Sequence, residues 1–269
     1  MSCQFDFKGK TVFVSGGTSG INLGIAEGFA AAGARVAVMS RNAERVAAAR
    51  EQLSRYGQPA IGEVGDVRDF EQVKRALKVA HDAFGDIDVL VSGAAGNFLQ
   101  PALNLSPNGF KVVVDIDLIG TFHVLRAGFD FLRKPGASII NITAPQSFNP
   151  APMQVHVCAA KAGVDQVMRV LALEWGEYGV RVNSISPGPI DKTGGLDKLI
   201  SEADVKSMGE RIPARRLGTR DDIAQMAMFL GSPQASYITG ALIPVDGGLA
   251  LIGGRGHAPN PEPTPRNQA

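Results

Sequence analysis

The stretch Thr11-Val12-Phe13-Val14-Ser15-Gly16-Gly17-Thr18-Ser19-Gly20-Ile21-Asn22 decides the fold. Thr11 to Val14 is a short apolar run of strand length. It passes through a turn carrying Gly16, Gly17 and Gly20 into a helix-period segment over 21–32. Glycines at such a turn let the backbone approach a pyrophosphate, and the N-terminus of the following helix offers it free N–H groups. A glycine triplet alone is a weak motif; its place between a strand and a helix gives it weight. The stretch nominates Gly16, Thr18, Ser19, Gly20 and Ile21 as a dinucleotide cradle, with a plain structural turn as the alternative.

Outward from this turn, short apolar runs alternate with helix-period segments. Residues 35–39, 89–92, 138–142, 181–185 and 242–245 read as further strands, and 43–56, 70–84, 108–132, 155–178 and 221–230 as further helices. Alternation of this kind implies βαβ units and a parallel sheet with helices on both faces, joined by right-handed crossovers. The expected fold is α/β: one Rossmann-like, doubly wound, three-layer α/β/α domain over residues 1–252. Gly57 and Gly179 stand just past helical segments, as C-terminal caps do. The Pro- and Gly-rich tail 253–269 reads as disordered.

Composition narrows the function classes. The chain has 269 residues, 45% of them hydrophobic, which is enough for a sizeable core. A formal net charge of +1 gives no bulk attraction to nucleic acid or anionic membrane. No apolar run approaches the ~20 residues of a membrane span, and Met1 to Lys10 has no signal-peptide core. Cys3 and Cys158 make no disulfide framework, and Cys158 lies in a helical pattern that suits a packed thiol. The expected setting is the cytoplasm. No metal-ligand spacing stands out.

The second strand ends in Met39-Ser40-Arg41-Asn42, where an NAD-binding site typically places a carboxylate for the ribose 2′-OH. Ser40 and Arg41 suit a 2′-phosphate instead, because a guanidinium matches phosphate oxygens. This points to NADP(H) rather than NAD(H).

Several further motifs carry a family resemblance over about residues 8–250. They are Ser92-Gly93-Ala94-Ala95-Gly96, the run Arg181-Val182-Asn183-Ser184-Ile185-Ser186-Pro187-Gly188-Pro189-Ile190, and Val245-Asp246-Gly247-Gly248. With the glycine turn, they resemble the short-chain dehydrogenases/reductases, with Ser15 for the usual Thr and Asn22 for the last Gly of Thr-Gly-x-x-x-Gly-x-Gly. Narrower cues are Ala94-Ala95-Gly96-Asn97-Phe98, Asp115-Ile116-Asp117, Asn141-Ile142-Thr143-Ala144, Gln154-Val155-His156 and Pro187-Gly188-Pro189-Ile190. These look like the 2,4-dienoyl-CoA reductases, most of all the peroxisomal type. The C-terminal Asn-Gln-Ala is not the peroxisomal Ser-Lys-Leu address, which suggests a bacterial relative.

The resemblance implies a set of roles. Asp66, in Gly65-Asp66-Val67, matches the adenine-binding aspartate, with a capping role as the alternative. Val67, Ala94, Pro187, Gly188, Ile190 and Thr193 match cofactor contacts. Lys161 matches the lysine of Tyr-x-x-x-Lys, but Val157 stands in place of the tyrosine and Ala144 in place of the assisting serine. The dienoyl branch also lacks that tyrosine. In it, the residues matching Asp117 and Lys161 are thought to hold a water between them, and Asn97 matches an asparagine that binds the thioester oxygen. His156 lies near the site, where packing or capping is the stronger reading than catalysis.

Chemistry agrees with the loss of tyrosine. Hydride addition to a carbonyl leaves an alkoxide that needs a nearby acid. Addition to a dienoyl thioester leaves a delocalised dienolate, which needs hydrogen-bond donors at the thioester oxygen and a proton delivered to carbon. The charged segment 191–216 is expected to be a substrate loop with the mobility of a lid. Its Lys198, Lys206, Arg211 and Arg215 are candidates for CoA phosphates, with ordinary surface charge the stronger reading for each alone. Trp175 and the apolar positions of 155–178 are expected in the core or in a subunit interface, the family commonly being tetrameric. Three functions compete: an NADPH-dependent dienoyl- or enoyl-thioester reductase, a carbonyl reductase with another acid, and an inactive NADP-binding homologue.

Overall fold

A computed structural model describes residues 5–191, 193 and 202–252, with 202–206 described in backbone only. The strands are β1 (Thr11–Ser15), β2 (Arg35–Ser40), β3 (Ala60–Val64), β4 (Val89–Ser92), β5 (Ser138–Ile142), β6 (Arg181–Pro187) and β7 (Leu242–Val245). They form one parallel sheet in the order β3-β2-β1-β4-β5-β6-β7. The order reverses at β1 and β4, so the crevice at their carboxyl ends is the topological switch point where ligands bind in such sheets.

Eight α-helices lie between or beside the strands among the described residues: α1 (Gly20–Ala31), α2 (Ala43–Ser54), α3 (Phe70–Phe84), α4 (Pro107–Val114), α5 (Gly120–Gly128), α6 (Val155–Trp175), α7 (Glu202–Arg211) and α8 (Arg220–Gly231). Alternating strand residues feed two cores. Val12, Val14, Val36, Val38, Val91 and Ile140 pack with α1 and α8 on one face. Phe13, Ala37, Met39, Leu90, Ile139 and Val182 pack with α3, α5 and α6 on the other. Trp175 belongs to this second core, its ring 4.7 Å from that of Phe129. The three-layer α/β/α architecture is therefore as the alternation implied.

Three elements depart from the sequence reading. The edge strand β3, Ala-Ile-Gly-Glu-Val, has no continuous apolar run because an edge strand is only half covered. The segment 108–132 is interrupted: a π-helical turn, Asp115–Ile119, separates α4 from α5, and α5 runs into a single 3₁₀ turn, Phe129–Phe131. Within 191–216, where the sequence implies a loop, Glu202–Arg211 forms α7. Gly194, Gly195, Lys198 and the tail 253–269 lie outside the described residues, as does the Lys206 side chain. Gly179, at φ 69°, caps the 3₁₀ turn Gly176–Tyr178 that follows α6, whereas α2 ends at Ser54 with Arg55 as its C-cap, so Gly57, at φ 89°, lies beyond that cap.

Candidate functional site

The glycine turn forms a tight cradle. Gly16 sits at φ 71°, and a Cβ there would lie 2.9 Å from the Cα of Ala94, so the turn closes directly on the loop after β4. Thr18 is buried and Ile21 packs against the α1-side core. Ser19 begins α1, yet its side chain caps nothing and the first turn carries no acid. Four helices, starting at Asn42, Asp69, Ser106 and Thr219, are capped by those side chains, whereas α1, like α5 and α6, is not. The N–H groups of the first α1 turn are thus left for an anion. Thr193 stands over this turn, 4.0 Å from where a Gly20 Cβ would be, with its hydroxyl on the Ile190 carbonyl at 2.8 Å. Pro187, Gly188 and Ile190 line the same end of the sheet, Gly188 N–H donating to Val245 O at 2.9 Å. The cradle fits a dinucleotide pyrophosphate.

Asn22 is accommodated by a matching change. Its amide donates to Gly93 O at 2.7 Å, and a Cβ on Gly93 would fall 2.2 Å from its Oδ1. The bulky residue in the turn and the glycine after β4 therefore depend on each other.

At the end of β2, Ser40 is half-buried and Arg41 exposed, with no carboxylate following the strand. Asp66 is close by, but its carboxylate is engaged by Arg68, whose Nη2 donates at 2.6 Å. The Arg68 hydrogen bonds hold the Asp66 carboxyl below the ordinary carboxylate range; partial burial opposes them and the Arg41 charge adds to them. Arg68 was not singled out by the sequence. Val67 is buried, and its carbonyl is bonded to His123 Nδ1 at 2.9 Å.

The chemical corner lies where the π turn meets α6. The π turn directs Asp117 inward, fully buried. Its Oδ1 accepts from Gly96 N–H at 2.7 Å. Its Oδ2 is 3.2 Å from Lys161 Nζ. That ammonium is aligned instead on Ile142 O, at 3.3 Å, so no protein donor is aligned on Asp117 Oδ2. A π-helical insertion at a functional position is a frequent use of that conformation. Val157, one turn before Lys161, is buried among Val113, Ala160, Val114 and Leu118.

Asn97 reaches the rim through an amide chain. Gln146 Nε2 donates to Gln154 Oε1, and Gln154 Nε2 donates to Asn97 Oδ1, both at 3.0 Å. With its oxygen occupied, Asn97 presents its NH₂ as a donor. Gln154 and Gln146 were not assigned roles from sequence, because glutamines in a loop and at a helix start carry no distinctive spacing. His156 is buried against the Phe98 ring, centroids 4.4 Å apart, and neither ring nitrogen is aligned with a protein partner. Burial depresses its pKa; the Phe98 backbone and the Asp117 charge oppose this. It packs, as the sequence reading favoured. Arg211 and Arg215 are exposed, and Arg215 donates to Glu210 O at 2.7 Å.

Comparison with known proteins bears on the family of this chain. A family model described as enoyl-(acyl carrier protein) reductase matches residues 16–250. A peroxisomal 2,4-dienoyl-CoA reductase, (3E)-enoyl-CoA-producing, from Arabidopsis thaliana is 42% identical over 254 residues, covering 91% of this chain and 85% of its own. A probable 2,4-dienoyl-CoA reductase, (2E)-enoyl-CoA-producing, from Bacillus subtilis is 41% identical over 247 residues, covering 90% and 97%. The crystal structure of a short chain dehydrogenase from Bacillus anthracis superposes with a TM-score of 0.82 at 37% identity, covering 90% and 96%.

Proposed function

Since the chain belongs to the short-chain dehydrogenase/reductase family, we propose that it is an NADPH-dependent reductase of 2,4-dienoyl-CoA or a closely related unsaturated acyl-CoA thioester. The observation that carries this reading is the buried Asp117–Lys161 pair in a site where Val157 stands in place of a phenol. Such a site has no side-chain acid suited to an alkoxide, but it can hold and polarise a water.

Gly16, Thr18, Ser19, Gly20 and Ile21 would hold the NADPH pyrophosphate, Ser40 and Arg41 its 2′-phosphate. Asp66, Val67, Ala94, Pro187, Gly188, Ile190 and Thr193 would complete the contacts. Bound NADPH supplies the hydride. The Asn97 NH₂, its oxygen fixed by Gln154, donates to the thioester oxygen on which dienolate charge collects. Asp117 Oδ2 and Lys161 Nζ, 3.2 Å apart, would both bond one water seated beside the pair. The Lys161 ammonium polarises that water, which delivers a proton to the substrate carbon while Lys161 Nζ gives one back to the water oxygen, so that no hydroxide is left. Asp117 holds the water in register through an oxygen with no competing protein donor.

The names borne by its relatives support an acyl-CoA substrate. A homotetramer is part of the reading. Phe110, Ile119 and Phe122, on α4, the π turn and α5, and Val170 and Leu173 on α6 are exposed apolar residues suited to cover by further copies. No helix among the described residues is long and apolar enough to cross a membrane; a cytoplasmic setting completes the proposal.

A panel assay tests it. NADPH oxidation is followed with dienoyl-CoA, enoyl-CoA and ketoacyl-CoA of matched chain length. Highest kcat/KM with dienoyl-CoA is expected; preference for ketoacyl-CoA would favour a carbonyl reductase, and turnover with none an inactive homologue.

A further inference from the structure

Asp165 is a buried carboxylate that the mechanism above does not use. It is 2% exposed, and neither oxygen has a protein hydrogen-bond partner among the described residues. Burying a carboxylate in that state costs stability, so its surroundings must satisfy it otherwise.

The fold shows what surrounds it. Lys161, Asp165, Met168 and Ala172 follow one another at helical spacing and form one stripe of α6. Met168 and Ala172 pack in the same core as Ile139 of β5 and Val182 of β6. Two residues further along each strand, on that face, are Asn141 and Ser184, which are cross-strand partners. Both are fully buried. Both amide atoms of Asn141 and the Ser184 hydroxyl also have no protein partner. At the top of the stripe Lys161 reaches Ile142 O, the residue next to Asn141, at 3.3 Å. One turn below Lys161 there is thus a sealed layer of polar atoms that lack partners.

We propose that Asp165, Asn141 and Ser184 together hold ordered water beneath Lys161, and that Asp165 acts through it as a positioning residue that fixes the Lys161 ammonium beside Asp117. Three convergent polar groups suffice for a buried water, which typically makes about three hydrogen bonds. Lys161 is a flexible four-carbon stem that holds one geometry only when its charge is met on more than one side. Asp117 meets it from the π turn; Asp165, through water, meets it from below. Cys158, His156 and Arg169 are the nearest other charged or titratable groups along α6, Arg169 being exposed. β5 carries none and β6 only Arg181, whose guanidinium donates to Ser232 O.

The inference rests on the reading of Lys161 as part of the reaction, and its test separates the two. Asp165→Asn keeps the shape but exchanges one acceptor oxygen for an NH₂ donor and carries no charge; Asp165→Leu removes every polar atom. A crystal structure of the NADP⁺ complex at water-resolving resolution is expected to show water bonded to Asp165, Asn141 and Ser184. Asp165→Leu is expected to keep or raise Tm, as replacement of buried charge by apolar side chains often does. Its kcat with dienoyl-CoA should fall by at least about tenfold, up to the ~10²–10⁴ that positioned proton transfer contributes, while KM and NADPH Kd stay within about twofold. Asp165→Asn should fall between Leu and wild type. A dry site, or a Leu variant that loses Tm and rate together, or one with unchanged kcat, would overturn the proposal. If the wild-type protein itself fails to reduce dienoyl-CoA, the functional reading fails, and the water site is still decided by the crystal structure and the Tm of the Leu variant.

Discussion

Asp117 Oδ2 lies 3.2 Å from Lys161 Nζ, and neither group has an exposed side chain. The pair is brought together by two local features: a π turn that rotates Asp117 inward, and α6, which carries Lys161 past the end of β5.

Val157→Tyr does not restore a reductase of the ordinary type. Val157 is 3% exposed in a small apolar patch with Val113 and Ala160. A phenol there overpacks the α4–α6 contact, at a cost of about 1–3 kcal/mol in stability. Thermal unfolding should show a lower Tm and the dienoyl-CoA rate should not rise. A large gain in turnover would mean that the missing tyrosine is a lesion.

Arg41→Ala weakens NADPH and spares NADH. No carboxylate follows β2, and Arg41 is free to meet a 2′-phosphate. Losing a charge-assisted hydrogen bond of ~1.5–3 kcal/mol corresponds to about ten- to hundredfold in Kd. Fluorescence titration with both cofactors checks it; equal wild-type affinities for the two would end the assignment.

Gly93→Ala and Asn22→Gly are coupled. The added methyl falls on the Asn22 side chain and displaces its 2.7 Å bond to Gly93 O. Alone, Gly93→Ala should cost about 1–3 kcal/mol. Adding Asn22→Gly should recover part of this, with a coupling of ~0.5–3 kcal/mol in a double-mutant cycle read by denaturant unfolding. Additive losses would show that the two residues do not depend on each other.

His156 makes the fold acid-sensitive. Burial holds its folded pKa below the ordinary value. Below an unfolded pKa of about 6.5 the unfolded chain takes up a proton that the folded chain resists. The stability contributed by neutral His156 is therefore present above that pH and lost as pH falls below it. His156→Gln should flatten the decline in Tm between about pH 6.5 and 5; an unchanged slope would contradict this.

Much of this was legible in residues whose spacing reflects backbone geometry. Gly16 and Gly20 mark the cradle because a strand–turn–helix leaves only glycine there, and Lys161 stands out by its helical context. Other features have no local signature. β3 lacks an apolar run because an edge strand is half covered. The π turn is invisible because Asp115-Ile116-Asp117 is compatible with an ordinary helix. The Gln146–Gln154–Asn97 chain and the Asn22–Gly93 contact join residues far apart in sequence, and only the fold brings them together. Arg68 stands two residues from Asp66, a spacing common to many charged pairs, and only the turn after β3 shows its guanidinium on that carboxylate.

The most direct measurement is single-turnover NADPH oxidation with a dienoyl-CoA by Asp117→Ala, Lys161→Ala and the double variant. If the two side chains hold one water, each single variant loses most of the rate and the double variant loses little more, because residues acting as a unit are not additive. NADPH affinity should survive in Asp117→Ala. A near wild-type rate in Asp117→Ala, or losses in the double variant that multiply those of the singles, would contradict the account.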